Sequence, residues 1–246
     1  MLTLVAVNGF KKWNDDPDIT RFMKGIYNLR TPVPKYSYTW DVNIVLKFLK
    51  NKSPLEDLSF KDITMKAVTL IALSSGQRAQ SIHLMKINNM ELLDNAFVFH
   101  INDITKTLKP GNNNVPIRIQ QYLADKDLCV FNVLKHYLKV TEPLRSIDNP
   151  FLWISMVKPH SNVTKQTISR WIKTVLKEAG INTNKFSAHS TRMAAVSKAN
   201  ALGVGLETII KTAGWNNAVN FKKFYLRDQE METKGAFANA VLELNG

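Results

Sequence analysis

Only one cysteine, Cys129, occurs in 246 residues, so no internal disulfide can staple the chain and no thiolate cluster can hold zinc. No uncharged apolar run approaches the ~18 residues that a membrane-spanning helix requires. The opening MLTLVAVNGFKKWNDD lacks the sequence of basic flank, apolar run and small-residue cleavage site that marks a secretory signal. These absences predict a reducing compartment: the nucleus if the host is eukaryotic, otherwise the cytoplasm. Glycine and proline are sparse, at 10 and 9 residues, which excludes collagen-like and low-complexity chains. Acidic residues are also few, with 20 Asp and Glu against 33 Lys and Arg.

With 45% hydrophobic and 22% charged residues, the composition is that of an ordinary globular protein long enough to close a core without staples. The formal charge of +13 favours a polyanionic partner, nucleic acid or an anionic surface. That charge is concentrated. Residues 158–227 carry twelve Lys and Arg against Glu178 and Glu207, a net +10, whereas the tail beyond them is net −3. A basic run of this kind serves either solubility or anion contact, and charge alone does not choose between them.

Apolar periodicity is helical over most of the chain. Ile168, Trp171, Ile172, Val175, Leu176 and Ala179 follow i, i+3, i+4 spacing, which predicts a helix over 164–179 ended by Gly180, with Lys165, Lys173 and Lys177 on its other face. Similar stripes run over 40–49 and 63–73, the second stopping at Ser74-Ser75-Gly76. FVFHINDI and VPIRI are instead β-rich and bracket TKTLKPGNNN, which reads as a long hairpin loop. The predicted fold is mainly α with a small antiparallel β-sheet. Pro32 and Pro34 mark a linker, so the expected organisation is a partial N-terminal helical segment over 1–35, a main domain over 36–230 and a helical tail over 231–246.

Four segments offer polar residues unusual as core filling: SSGQR at 74–78, Lys106 in the hairpin loop, Ala188-His189-Ser190-Thr191-Arg192, and AGWNNAVNFKKFYLR at 213–227. An arginine at a helix start suits an anion, and the spacing of His189 and Arg192 places imidazole and guanidinium on one helix face. Taken singly, each has a plainer reading as a surface or packing residue. His83, His100, His136 and His160 show no metal spacing, and Trp153 and Trp171 read as core.

Taken in order, Arg78, Lys106, His189-x-x-Arg192, Trp215 and Tyr225 resemble the catalytic set of the tyrosine recombinases of the phage-integrase type, over about residues 36–230. The ten-residue interval from Trp215 to Tyr225 and the pair Phe224-Tyr225 look most like the DIRS-type retrotransposon and Crypton branch, since bacterial members usually have nine. Two features depart from the pattern: Ser81 stands where the family often has Glu, and the piece before Tyr36 is shorter than the family's helical core-binding domain.

The resemblance implies the fold of the DNA breaking-and-rejoining enzymes and attack by the Tyr225 hydroxyl on a phosphodiester without metal or cofactor. Arg78 and Arg192 would clamp the phosphate, Lys106 rather than Lys109 would protonate the leaving oxygen, His189 would assist proton movement and Trp215 would donate a hydrogen bond. The expected partners are double-stranded DNA, contacted by Lys165, Lys173, Lys198, Lys222, Lys223 and Arg227, and further copies of the chain in a tetramer on synapsed sites. The tail stripe Phe237, Val241, Leu244 would cover its own domain or dock on a neighbour. Two other readings stay open from the sequence: a non-catalytic, domesticated DNA-binding protein of the same fold, and a type IB topoisomerase-like enzyme.

Overall fold

The computed structural model describes residues 16–30, 36–103 and 115–215. Lys106, Lys109, Tyr225, Lys222, Lys223, Arg227, the expected hairpin loop, the Pro32–Pro34 linker and the C-terminal tail lie outside the described residues. The chain divides into two units, Met1–Ser37 and Tyr38–Gly246. In the first, α1 (Pro17–Leu29) starts with proline at its first position and is capped by Asp16, whose carboxylate accepts from Asp18 N at 2.9 Å and Ile19 N at 3.3 Å. None of its residues is buried.

The second unit is built around α3 (Phe60–Ser75), of whose sixteen residues eleven are buried. A helix apolar all round must be covered all round. Around it pack α5 (Val130–Thr141), α6 (Lys165–Glu178) and α7 (Ser190–Ala201). The sequence stripe of α6 meets the structure closely. Its buried residues are Ile168, Trp171, Ile172, Val175 and Leu176, and Thr164 Oγ1 caps it by accepting from Thr167 N at 3.3 Å, a bond worth ~1 kcal/mol. By contrast α2 (Val42–Lys50) starts two residues later than the stripe suggests, because Asp41 Oδ1 accepts from Asn43 N at 2.9 Å and sets the cap there. Trp40 is left outside the helix. No helix among the described residues is long and apolar enough to cross a membrane.

The sheet has three antiparallel strands in the order β1 (Met90–Leu93), β2 (Ala96–Phe99), β3 (Ile117–Gln120). Both predicted β segments form strands: the first stops at Phe99, short of its run, and the second starts at Ile117, two residues into its run, and ends at Gln120. The sequence reading missed β1, which pairs Leu93 with Ala96 across a two-residue Asp94-Asn95 turn. β3 alternates, with Ile117 and Ile119 buried and Arg118 and Gln120 exposed, whereas all four residues of β2 are buried. The Phe97 ring meets Phe131 of α5 at 4.8 Å.

A charged residue, Lys66, sits inside this core. Lys66 on α3 is fully buried, and its Nζ donates to the carbonyl of Lys52 and, at 3.3 Å, to Ser53 Oγ. Burial pushes its pKa below 10.5, with Asp127 and Asp125 pulling it back up. Between the lowered value and 10.5 the unfolded chain therefore binds more protons than the folded one, so this residue adds stability as pH rises through that window. The stability difference between wild type and Lys66→Met, read from urea midpoints, is expected to move in favour of wild type as pH increases from neutral towards 10.5. A pH-independent difference would mean that Lys66 keeps its ordinary basicity.

Candidate active site

Gly76 shapes the turn that follows α3. Its φ of +60° ends the helix in the left-handed region, and a Cβ there would lie 3.1 Å from the Cβ of Ala213. Backbone and neighbour both require glycine. Ser75 Oγ donates to Ile71 O at 2.6 Å and accepts from Gln77 N at 3.3 Å, closing the turn. Arg78 emerges from it half-buried, as the extended N-cap of α4 (Ala79–His83).

A five-residue helix cannot hold itself together in water, and α4 is fixed from below. The buried Trp153 donates its Nε1–H to Ile82 O at 2.9 Å, and Leu152 N donates to Met85 O at 2.9 Å. Arg145 in turn clamps that segment, donating to Phe151 O at 2.8 Å and Leu152 O at 2.7 Å. The buried Tyr137 hydroxyl donates to Leu152 O at 3.1 Å, and burial pushes its pKa up to about 12. Arg78 is thus carried on a well-anchored support.

Facing the Gly76 turn is the end of α8 (Leu206–Ala213). Gly214, at φ +70°, donates to Lys211 O at 3.2 Å, and Trp215 N donates to Ile210 O at 3.0 Å. This paired closure of a helix end fixes Trp215, which packs on the cluster of Val196, Ile209 and Ala213. Gln77 links the two sides by donating from Nε2 to Thr212 O at 2.8 Å. The sequence reading passed over Gln77, and its only signal was its place between Gly76 and Arg78.

Arg192, on α7, binds both sides at once. Its Nη1 donates to Gly76 O and, at 2.6 Å, to Ala213 O, while its guanidinium carbon lies 3.3 Å from the centroid of the Trp215 ring. The residue is 2% exposed. Both carbonyls belong to helix C-terminal ends, where the partial charge is negative, and the indole face is negative too. A buried cation is therefore held by three separate favourable contacts. His189 is the N-cap of α7, helical in backbone (φ −66°, ψ −27°) but exposed in side chain. The three-residue spacing sets the two residues side by side in the chain, yet one faces solvent and the other the interior.

The basic residues divide similarly. Lys165 heads α6 and Lys173 follows two turns on, both exposed; Lys198 on α7 is half-buried and donates to Asn43 Oδ1. At the other end of α4 from Arg78, His83 stacks on Phe151 at 5.5 Å and 4°. Burial holds its pKa below the usual value against the pull of Asp103, and Lys165 and Lys86 act in the same direction as burial. Lys86 also pairs with Asp103 at 3.0 Å.

The phage integrase family profile matches residues 41–232, a span that includes every one of these segments. The chain belongs to the phage integrase family. Its fold is that of the tyrosine recombinase catalytic domain. The XerH site-specific recombinase bound to difH substrate, in a pre-cleavage complex, superposes with a TM-score of 0.58 at 16% identity, over 78% of this chain and 50% of that one. The XerA recombinase gives 0.56 at 17% identity, covering 84% and 67% of the two chains. The Tn1549 transposon integrase in complex with transposon right-end DNA gives 0.54 at 12% identity, covering 81% and 64%. The chain therefore spans half the length of XerH. No curated protein matches the sequence.

Proposed function

We propose that this chain is the catalytic part of a mobile-element recombinase that cuts and rejoins double-stranded DNA through a 3′-phosphotyrosyl intermediate. The observation that carries the reading is the convergence of Arg192, Trp215 and the turn bearing Arg78, three separated segments of the family's pattern joined by direct contacts. In this reading the Tyr225 oxygen forms a bond to phosphorus as the bond to the 5′ oxygen breaks. The tyrosine proton passes towards His189, and Lys106 supplies a proton to the departing oxygen. The reverse attack by a 5′-hydroxyl of a partner strand restores the diester and frees the tyrosine, so no energy source is consumed.

The transition state gathers negative charge on the non-bridging oxygens, and Arg78 and Arg192 supply fixed positive charge to meet it. A phosphate would share the Arg192 fork with the main-chain carbonyls that its Nη1 already meets. At 2% exposure, its admission requires a local opening. Lys165, Lys173, Lys198, Lys222, Lys223 and Arg227 would contact the flanking backbone, several protomers would assemble on paired sites, and the ten-residue interval to Tyr225 supports a DIRS or Crypton-type element and, in a eukaryotic host, a nuclear location.

A DNA substrate nicked beside the scissile phosphate tests the reading, because loss of the short fragment prevents rejoining. The expected result is a covalent protein–DNA species on a denaturing gel and, with an added acceptor strand, recombinant joints. DNA binding without any adduct would favour a non-catalytic relic, and adduct with only self-rejoining would favour topoisomerase-like action.

A further inference from the structure

Trp40 lies outside every helix and outside the family pattern, yet it is 4% exposed and makes a buried side-chain hydrogen bond across 150 residues of chain. Its Nε1–H donates to Ser190 Oγ at 2.9 Å. The single hydroxyl proton of Ser190 goes to Ser187 O at 2.7 Å, so the oxygen is left to accept and the indole supplies the donor. Both groups therefore have a fixed direction. Ser190 opens α7, directly after His189 and two residues before Arg192.

The same short segment grips the loop before α7 a second time. Lys185 Nζ lies 3.6 Å from the centroid of the Tyr38 ring, and the Phe186 ring meets Tyr38 edge-on at 5.8 Å. One residue beyond Trp40, Asp41 caps α2, which holds the indole's own backbone in place. The stretch from 38 to 41 is thus a rigid brace against the loop that delivers His189.

We infer that Trp40 is a positioning residue for His189, setting through Ser190 the place of the imidazole at the reacting phosphate. The inference rests on the recombinase reading. It follows from the sensitivity of such chemistry to placement, since an error of ~1 Å costs about 10²-fold. His189 is exposed at a helix cap, so its backbone must be set by what stands behind it.

The test compares Trp40→Phe, which keeps an aromatic ring and removes the donor, with Ser190→Ala, which removes the acceptor. Trp171→Phe on α6 serves as control for loss of a buried indole elsewhere. Trapping rates on the nicked substrate are expected to fall about tenfold in either brace variant, with unchanged DNA affinity. Once His189 is already alanine, Trp40→Phe is expected to slow trapping by less than about twofold. Independent slowing in that background, or none in wild type, would overturn the inference. A second arm needs no catalysis: the His189 imidazole titration, followed by NMR in DNA-free protein, is expected to shift in both brace variants and not in Trp171→Phe. If wild type forms no adduct, the recombinase reading fails, and an unmoved His189 titration would separately refute the positioning. Should Trp40→Phe fail to fold, Ser190→Ala carries both arms.

Discussion

Tyr225→Phe is expected to eliminate the covalent protein–DNA species while leaving DNA affinity nearly unchanged. The substitution removes one oxygen and keeps the ring, so contacts made by the aromatic face and by Lys222, Lys223 and Arg227 on either side of it in sequence are retained. Phenylalanine has no nucleophile to offer phosphorus. Removing the attacking group from a catalytic constellation typically costs ~10⁴-fold or more, which puts adduct below detection on a denaturing gel. Trapping with the nicked substrate and equilibrium binding at one salt concentration check the two halves of the expectation. An adduct persisting in Tyr225→Phe would transfer the nucleophile to another residue, and a large loss of binding would mean that the hydroxyl serves recognition instead.

Arg192→Ala is expected to damage both chemistry and folding, unlike the first variant. Its Nη1 satisfies Gly76 O and Ala213 O, and its guanidinium covers the Trp215 ring. Truncation leaves both carbonyls without this donor and loosens the contact between the α3 turn and the end of α8. Hydrogen bonds from a charged group contribute ~1.5–3 kcal/mol each, so a loss of about 3 kcal/mol in urea-derived stability is expected. Loss of a preorganised donor to the transition state adds at least ~10² in cleavage rate. Arg192→Lys separates the two effects. An ammonium can still reach a carbonyl but cannot stack as a plane or offer a bidentate edge, so stability should recover in part and cleavage should not. A folded Arg192→Ala protein with full cleavage would remove the residue from the site.

The family's pattern was readable because its members are short local signals in a fixed order. Ser75-Gly76 announced a helix end, and the structure gives Gly76 a φ of +60°. His189 and Arg192 could be placed in the chain but not in depth. The spacing predicted a shared helix face; the structure leaves His189 exposed and buries Arg192 to 2%. β1 was missed because MELL is only four residues long and is joined to the next strand by Asp-Asn, a weaker turn signal than Asn-Gly. Trp40 read as the first residue of an apolar stripe, since nothing near it in sequence marks its partner.

By itself the sequence determined the helical character, the boundaries and buried face of α6, the apolar stripe of α3 and two of the three β segments, because periodicity and capping are set by residues within a few positions of one another. It also fixed the excess of positive charge and the order of the six pattern residues. Tertiary structure alone decided which element covers which. Arg192 meets the carbonyl of Gly76 across 116 residues, and Trp40 meets Ser190 across 150. No local pattern encodes such pairs: they exist only once α3, α7 and α8 have packed and each buried polar group has found the partner that offsets its loss of water.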